Sequence, residues 1–140
     1  FEFEPGVVGE VVGSDVMAAV RRPDRDVLLH IFADVDEEWE RRRHELTRLA
    51  EWAEYDRPGL AVAVMDGLRN ERPPDLPEVG FIPVTMLFPA RRKELDDPSL
   101  VFNATLGFTA ELLRDWIAEH ADLGQPPPSS SSKEDTSSGE

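Results

Sequence analysis

Apolar residues fall into short runs separated by two different rhythms of polar positions. Val7 to Val12, Val27 to Ala33, "LAVAVM" at 60 to 65, Val84 to Phe88 and "LVFNA" at 100 to 104 are rich in Val, Leu, Ile, Phe and Met and predict strands. "LAVAVM" has no polar alternation, as expected of a strand buried on both faces. Between the first two runs, Val16, Ala19 and Val20 recur at helical spacing, with Ser14 as a candidate cap and Pro23 as a stop. From Asp36 onward, Trp39, Leu46, Leu49, Ala50 and Ala53 repeat on a helical period among Arg and Glu until Pro58-Gly59, which predicts a long amphipathic helix capped by Asp34 or Asp36. "TAELLRDWIAEH" predicts a closing helix with Thr109 as cap and Leu112, Leu113, Trp116 and Ile117 as its apolar stripe.

The predicted order is β-α-β-α-β-loop-β-β-α. Helices alternating with buried strands imply a parallel core, and two strands joined by a short turn add an antiparallel pair. The fold class is therefore α/β, a mixed central sheet flanked by helices. Between the third and fourth strands "NERPPDLPE" holds too many prolines for a helix of any length.

Composition sharpens the boundaries. The chain has 140 residues, 40% hydrophobic and 31% charged, and ends in "GQPPPSSSSKEDTSSGE", too polar and Pro/Ser-rich to pack. The expected organisation is a linker over 1–6, one domain over 7–123 and a disordered acidic tail over 124–140. The chain starts at Phe1 without a signal-like segment, which reads as a piece processed or cut from something longer. Its net charge is −14, of which the tail carries −2. An acidic domain repels phosphate backbones and anionic membranes, so neither nucleic acid nor membrane is an expected partner; basic partners and loosely held cations suit it better. There is no cysteine, hence no thiol nucleophile, disulfide or thiolate metal site.

The stretch "LLHIFADVDEEWERRR" joins a buried strand to the long helix through Asp34, Asp36, Glu37 and Glu38. Taken with "AVAVMDG", "GFIPVTMLFPA" and "TAELLRDWIAEH" in that order, it resembles a thioredoxin fold, most like the domains of protein disulfide isomerases, over about residues 7 to 120. In this register the family's Cys-x-x-Cys is replaced by Asp36-Glu37-Glu38-Trp39, and His30 stands where active members commonly hold a buried Glu. The redox motif works through a thiolate at a helix start and a resolving thiol. The resemblance therefore implies a redox-inactive domain with no catalytic residue and no cofactor. It also places Ile82-Pro83 at the family's cis-proline loop, beside a groove with Val35, Asp36, Trp39, Ile82 and Pro83 as walls. Main-chain recognition of an extended segment there does not require cysteines. The shortened connection after the third strand is expected to leave one face of the sheet open to a partner or a neighbouring domain. His30 itself reads as a sheet histidine bonded to a neighbour, or as a pH sensor.

Three functions compete. The first is a non-catalytic, chaperone-type module binding unfolded or partner protein segments, located by resemblance in the endoplasmic reticulum lumen or secretory pathway. The second is an acidic domain holding calcium weakly, although the acidic residues are dispersed and no EF-hand loop is present. The third is a carboxylate enzyme built on Asp34, Asp36, Glu37 or Glu38, which lacks a Ser/His/Asp set or phosphate loop beside it. Asn103-Ala104-Thr105 is an N-glycosylation sequon that fits a lumenal protein, and the tail lacks a Lys-Asp-Glu-Leu-type ending.

Overall fold

A computed structural model describes residues 2–76, 82–90 and 100–121. The elements are β1 (Gly9–Glu10), α1 (Val16–Val20), β2 (Asp26–Phe32), α2 (Trp39–Asp56), β3 (Leu60–Asp66), β4 (Val84–Phe88) and α3 (Ala110–His120). The sheet runs in the order β1-β3-β2-β4. Strands β1, β3 and β2 are parallel, and β4 is antiparallel to β2, with Val27 opposite Phe88 and Ile31 opposite Val84. This is the mixed sheet between helices that the apolar runs predict.

Strand alternation divides the core in two. Leu28, Phe32, Leu60, Val62, Val64 and Leu87 face α2 and α3, whose Leu46, Leu49, Ala53, Leu113 and Ile117 pack on them. Their neighbours Val27, Leu29, Ile31, Ala63, Met65, Val84 and Met86 face the other way. That second face is covered by Phe3, Val11, Leu76 and the apolar side of α1, a correction to the expectation of an open face. Among the described residues of the proline-punctuated loop, Leu76, held by a turn in which its N–H bonds to the Pro73 carbonyl, adds to that apolar cover. Phe3, in the segment read as a linker, is buried with it. The expected tail, 124–140, lies outside the described residues.

Several boundaries differ from the expected ones. The first strand shrinks to Gly9–Glu10, with the Val11 N–H still bonded to the Val64 carbonyl. Asp15, not Ser14, precedes α1, and its side chain makes no capping bond. Neither Asp34 nor Asp36 caps α2; the cap position is Glu38, without a side-chain bond. The expected last strand is reduced to one bridge, Val101 with Met86, beside the Phe102 N–H to Thr85 carbonyl bond. The closing helix begins as expected, with Thr109 Oγ1 accepting from the Leu112 N–H at 3.1 Å.

Candidate functional site: the carboxyl ends of the parallel strands

In open α/β sheets, ligands bind beyond the carboxyl ends of the strands, because the loops leaving them converge there. Here those loops are 11–15 after β1, 33–38 after β2 and 67–76 after β3, joined by the residues that lead into β4. The loops are stitched together. Asn70 Oδ1 accepts from the Gly13 N–H at 2.8 Å, the Gly67 N–H donates to the Phe32 carbonyl at 2.8 Å, and Arg69 pairs with Asp34 at 3.3 Å and Asp66 at 3.2 Å. Gly67 permits a close approach: a Cβ there would stand 2.7 Å from Ile31 Cγ2 and 3.0 Å from Ile82 Cδ1.

The acidic stretch 34–38 is organised by its own backbone. The Asp36 N–H bonds to the Ala33 carbonyl and the Trp39 N–H to the Asp36 carbonyl, both at 3.0 Å, while Asp36 Oδ1 accepts from the Glu38 N–H at 3.1 Å. Asp36 thus closes a turn on the residues ahead of the helix, as short polar side chains do in competition with capping. Its other oxygen stands 3.7 Å from Arg42 Nη1. Glu38 and Glu40 pair with Arg41 and Arg43 at helical spacing on the exposed side, where such pairs contribute about 0.3–0.5 kcal/mol each.

The residues expected to wall the groove fall into two groups. Val35 is 78% exposed, and Ile82 and Pro83, joined by a cis bond, are half-buried. Trp39 is only 9% exposed: its indole lies flat on Phe32, centroids 3.9 Å apart, and stacks on the His30 ring at 5.7 Å. Asp36 lies between, partly exposed on the turn.

His30 sits beneath Trp39 in the sheet. It is 1% exposed, with Nδ1 2.8 Å from Thr85 Oγ1 and its ring against Phe108 at 5.3 Å. Burial, and then the neighbouring Arg42 charge, push its pKa down to about 3, against a smaller opposing pull from Asp36. The ring is therefore neutral at ordinary pH. Phe108 is held in place by Arg41 Nη1, which donates to its carbonyl at 2.8 Å, and by Glu45 Oε1, which accepts from the Ala110 N–H at 2.8 Å. Sequence reasoning missed Arg42 and Phe108; neither spacing nor composition singles them out, because they meet His30 only across the packed layers.

No family model and no curated protein matches the chain. Solved structures do. The zinc-bound form of human ERp44 superposes with a TM-score of 0.64 at 10% identity, over 81% of this chain and 31% of that one. A mutant thioredoxin from Halobacterium salinarum gives 0.58 at 19% identity, over 88% and 98%. The chain has a thioredoxin-like fold. The first thioredoxin domain of mouse protein disulfide-isomerase A4 is also similar, with a TM-score of 0.57 at 18% identity over 84% and 75%. The chain spans about a third of the length of the ERp44 structure. In this thioredoxin-like frame β2 runs into Asp36-Glu37-Glu38-Trp39, and no cysteine stands there or elsewhere in the chain. Among the described residues, no group of three or more His, Asp or Glu is placed to hold a metal ion, and no helix is long and apolar enough to cross a membrane.

Proposed function

We propose that this is a redox-inactive thioredoxin-like domain of a protein disulfide isomerase-like protein, which binds extended segments of client or partner proteins without catalysis. The observation that carries the reading is a row of exposed aliphatic side chains, one on each loop leaving a parallel strand: Val12 at 45% after β1, Leu68 at 55% after β3 and Val35 at 78% after β2. The strand order β1-β3-β2-β4 supports taking them in that sequence, with Ile82 and Pro83 preceding β4, the next strand. Single exposed apolar residues are ordinary, but three on converging loops form a surface on which an extended apolar segment gains contact. Asp36 and Glu38 beside Val35 already face Arg42 and Arg41, and the exposed Glu37 between them favours a segment carrying a basic residue. The buried Trp39 acts from below, as the floor under the Asp36 turn. A secretory-pathway setting, with Asn103 as a glycan acceptor, belongs to the same reading. The alternative of loosely held calcium is favoured by no specific feature among the described residues.

The test is an NMR titration with an extended peptide of alternating apolar and basic residues. Binding in the micromolar range or weaker is expected, with shifts at Val12, Val35, Leu68, Ile82 and Pro83. Val35→Ser together with Leu68→Ser should weaken it several-fold while leaving the unfolding midpoint nearly unchanged. Shifts confined to other faces would refute this site.

A further inference from the structure

A pocket of about 500 Å³ opens between the start of β4 and the segment leading into α3, with His30, Arg42, Thr85, Phe102, Asn103 and Phe108 among its walls. Two of those wall residues each carry a buried polar atom, His30 Nε2 and Arg42 Nε, that has no hydrogen-bond partner among the described residues. Buried polar groups are nearly always satisfied, so two orphans on one pocket point to an occupant that supplies their partners. One aromatic ring fixes both: Phe108 lies 5.3 Å from the His30 ring and carries the Arg42 guanidinium over its face at 5.3 Å.

The chemistry of the occupant follows from the charges. Asp and Glu number 29 in the chain, yet no carboxylate lines this pocket among the described residues. Among the described residues its one formal charge is the Arg42 cation. The carboxylate paired with that cation, Asp36, stands 3.7 Å from Nη1, beyond hydrogen-bond range, and is already accepting from the Glu38 N–H. The guanidinium thus keeps donor capacity for a planar anion. Of the other walls, Pro83, Val84, Val101, Ala104 and the two Phe rings are apolar, and Thr85, Asn103 and Thr105 are neutral polar residues.

We propose that this pocket binds a carboxylate carried on a short apolar stem, with Arg42 pairing the carboxylate, His30 Nε2–H donating to it, and Phe102, Phe108 and Val101 packing the stem. The arrangement requires the Thr85 hydroxyl to donate to His30 Nδ1, which puts the ring proton on Nε2. It does not rest on the client-binding reading. A small organic acid and the free carboxyl terminus of a peptide offer the same chemistry.

The probes are hexanoate, its neutral isostere hexanamide, and a short peptide ending in leucine as the free acid and as the C-terminal amide. Followed by NMR on the intact chain, hexanoate is expected to bind in the millimolar range, with shifts at His30 and Phe108 and an Nε2-protonated ring. Hexanamide should bind at least tenfold more weakly. Arg42→Gln should lose a similar factor, while Arg43→Gln, whose side chain pairs with Glu40 on the exposed face, should change nothing. Competition by the free-acid peptide but not its amide identifies a chain terminus as the source; hexanoate binding without that competition identifies a small acid. Equal binding of hexanoate and hexanamide, or no binding of either, overturns the proposal and leaves a water-filled pocket. Because the acid is compared with the amide on the unaltered chain, the result stands even if Arg42→Gln fails to fold.

Discussion

His30 shows how a residue's chemistry is set by what packs on it. Trp39 covers one side of its ring, Phe108 another, and Arg42 adds a repelling charge, so the native ring stays neutral down to about pH 3. The unfolded chain takes up that proton near 6.5. The stability that this histidine contributes is therefore complete above 6.5 and is lost as the pH falls from 6.5 toward 3. Between pH 7 and pH 5, before carboxylates titrate strongly, one such group amounts to roughly 2 kcal/mol, read as a falling urea midpoint. His30→Gln should flatten that interval; the same slope in both proteins would acquit the histidine. The sequence shows His30 inside an apolar run and so predicts a buried ring with a bonded neighbour. It does not show that the neighbour is Thr85, 55 positions away, because strand pairing alone brings them together.

At the scale of elements, apolar periodicity locates the helices, whereas capping chemistry marks the start of α3 at Thr109 but not the starts of α1 and α2. Trp39, Leu46, Leu49, Ala50 and Ala53 do form the buried stripe of α2, and Leu113 and Ile117 that of α3. The start of α2 differs from the expected one because an Asp ahead of a helix can either cap it or close its own turn, and Asp36 does the second. That turn still brings positions 36 and 39 together, since the Trp39 N–H bonds to the Asp36 carbonyl at 3.0 Å. Cα atoms across such a four-residue turn lie within about 7 Å, inside the span of a disulfide. Asp36→Cys combined with Trp39→Cys is accordingly expected to close an intramolecular disulfide under mild oxidant, detected by mass and thiol titration. Removing the Trp39 ring from Phe32 should cost the reduced protein about 3 kcal/mol or more. A folded double variant that remains a dithiol would count against the thioredoxin-like register of the junction.

Across the whole molecule, a thioredoxin-like fold is built by a chain that contains no thiol. Thiol-disulfide exchange proceeds through a mixed disulfide, and a chain with no cysteine cannot form one. Turnover of a model disulfide should equal the rate without protein, and a measurable excess would require chemistry that no side chain here supplies. The sequence by itself determined the class of fold, because strands buried on both faces leave short unbroken apolar runs and a buried helix stripe leaves a period near four, and both are local patterns. It also determined that thiol chemistry is absent, which is a matter of composition. Only the tertiary structure decided that Leu76 and Phe3 close the second face of the sheet, that the last strand dwindles to a single bridge at Val101, and that His30 and Arg42 share one pocket on Phe108. Those outcomes depend on which distant residues the strand order and helix packing bring into contact, and pairwise contact across a core leaves no periodic trace along the chain.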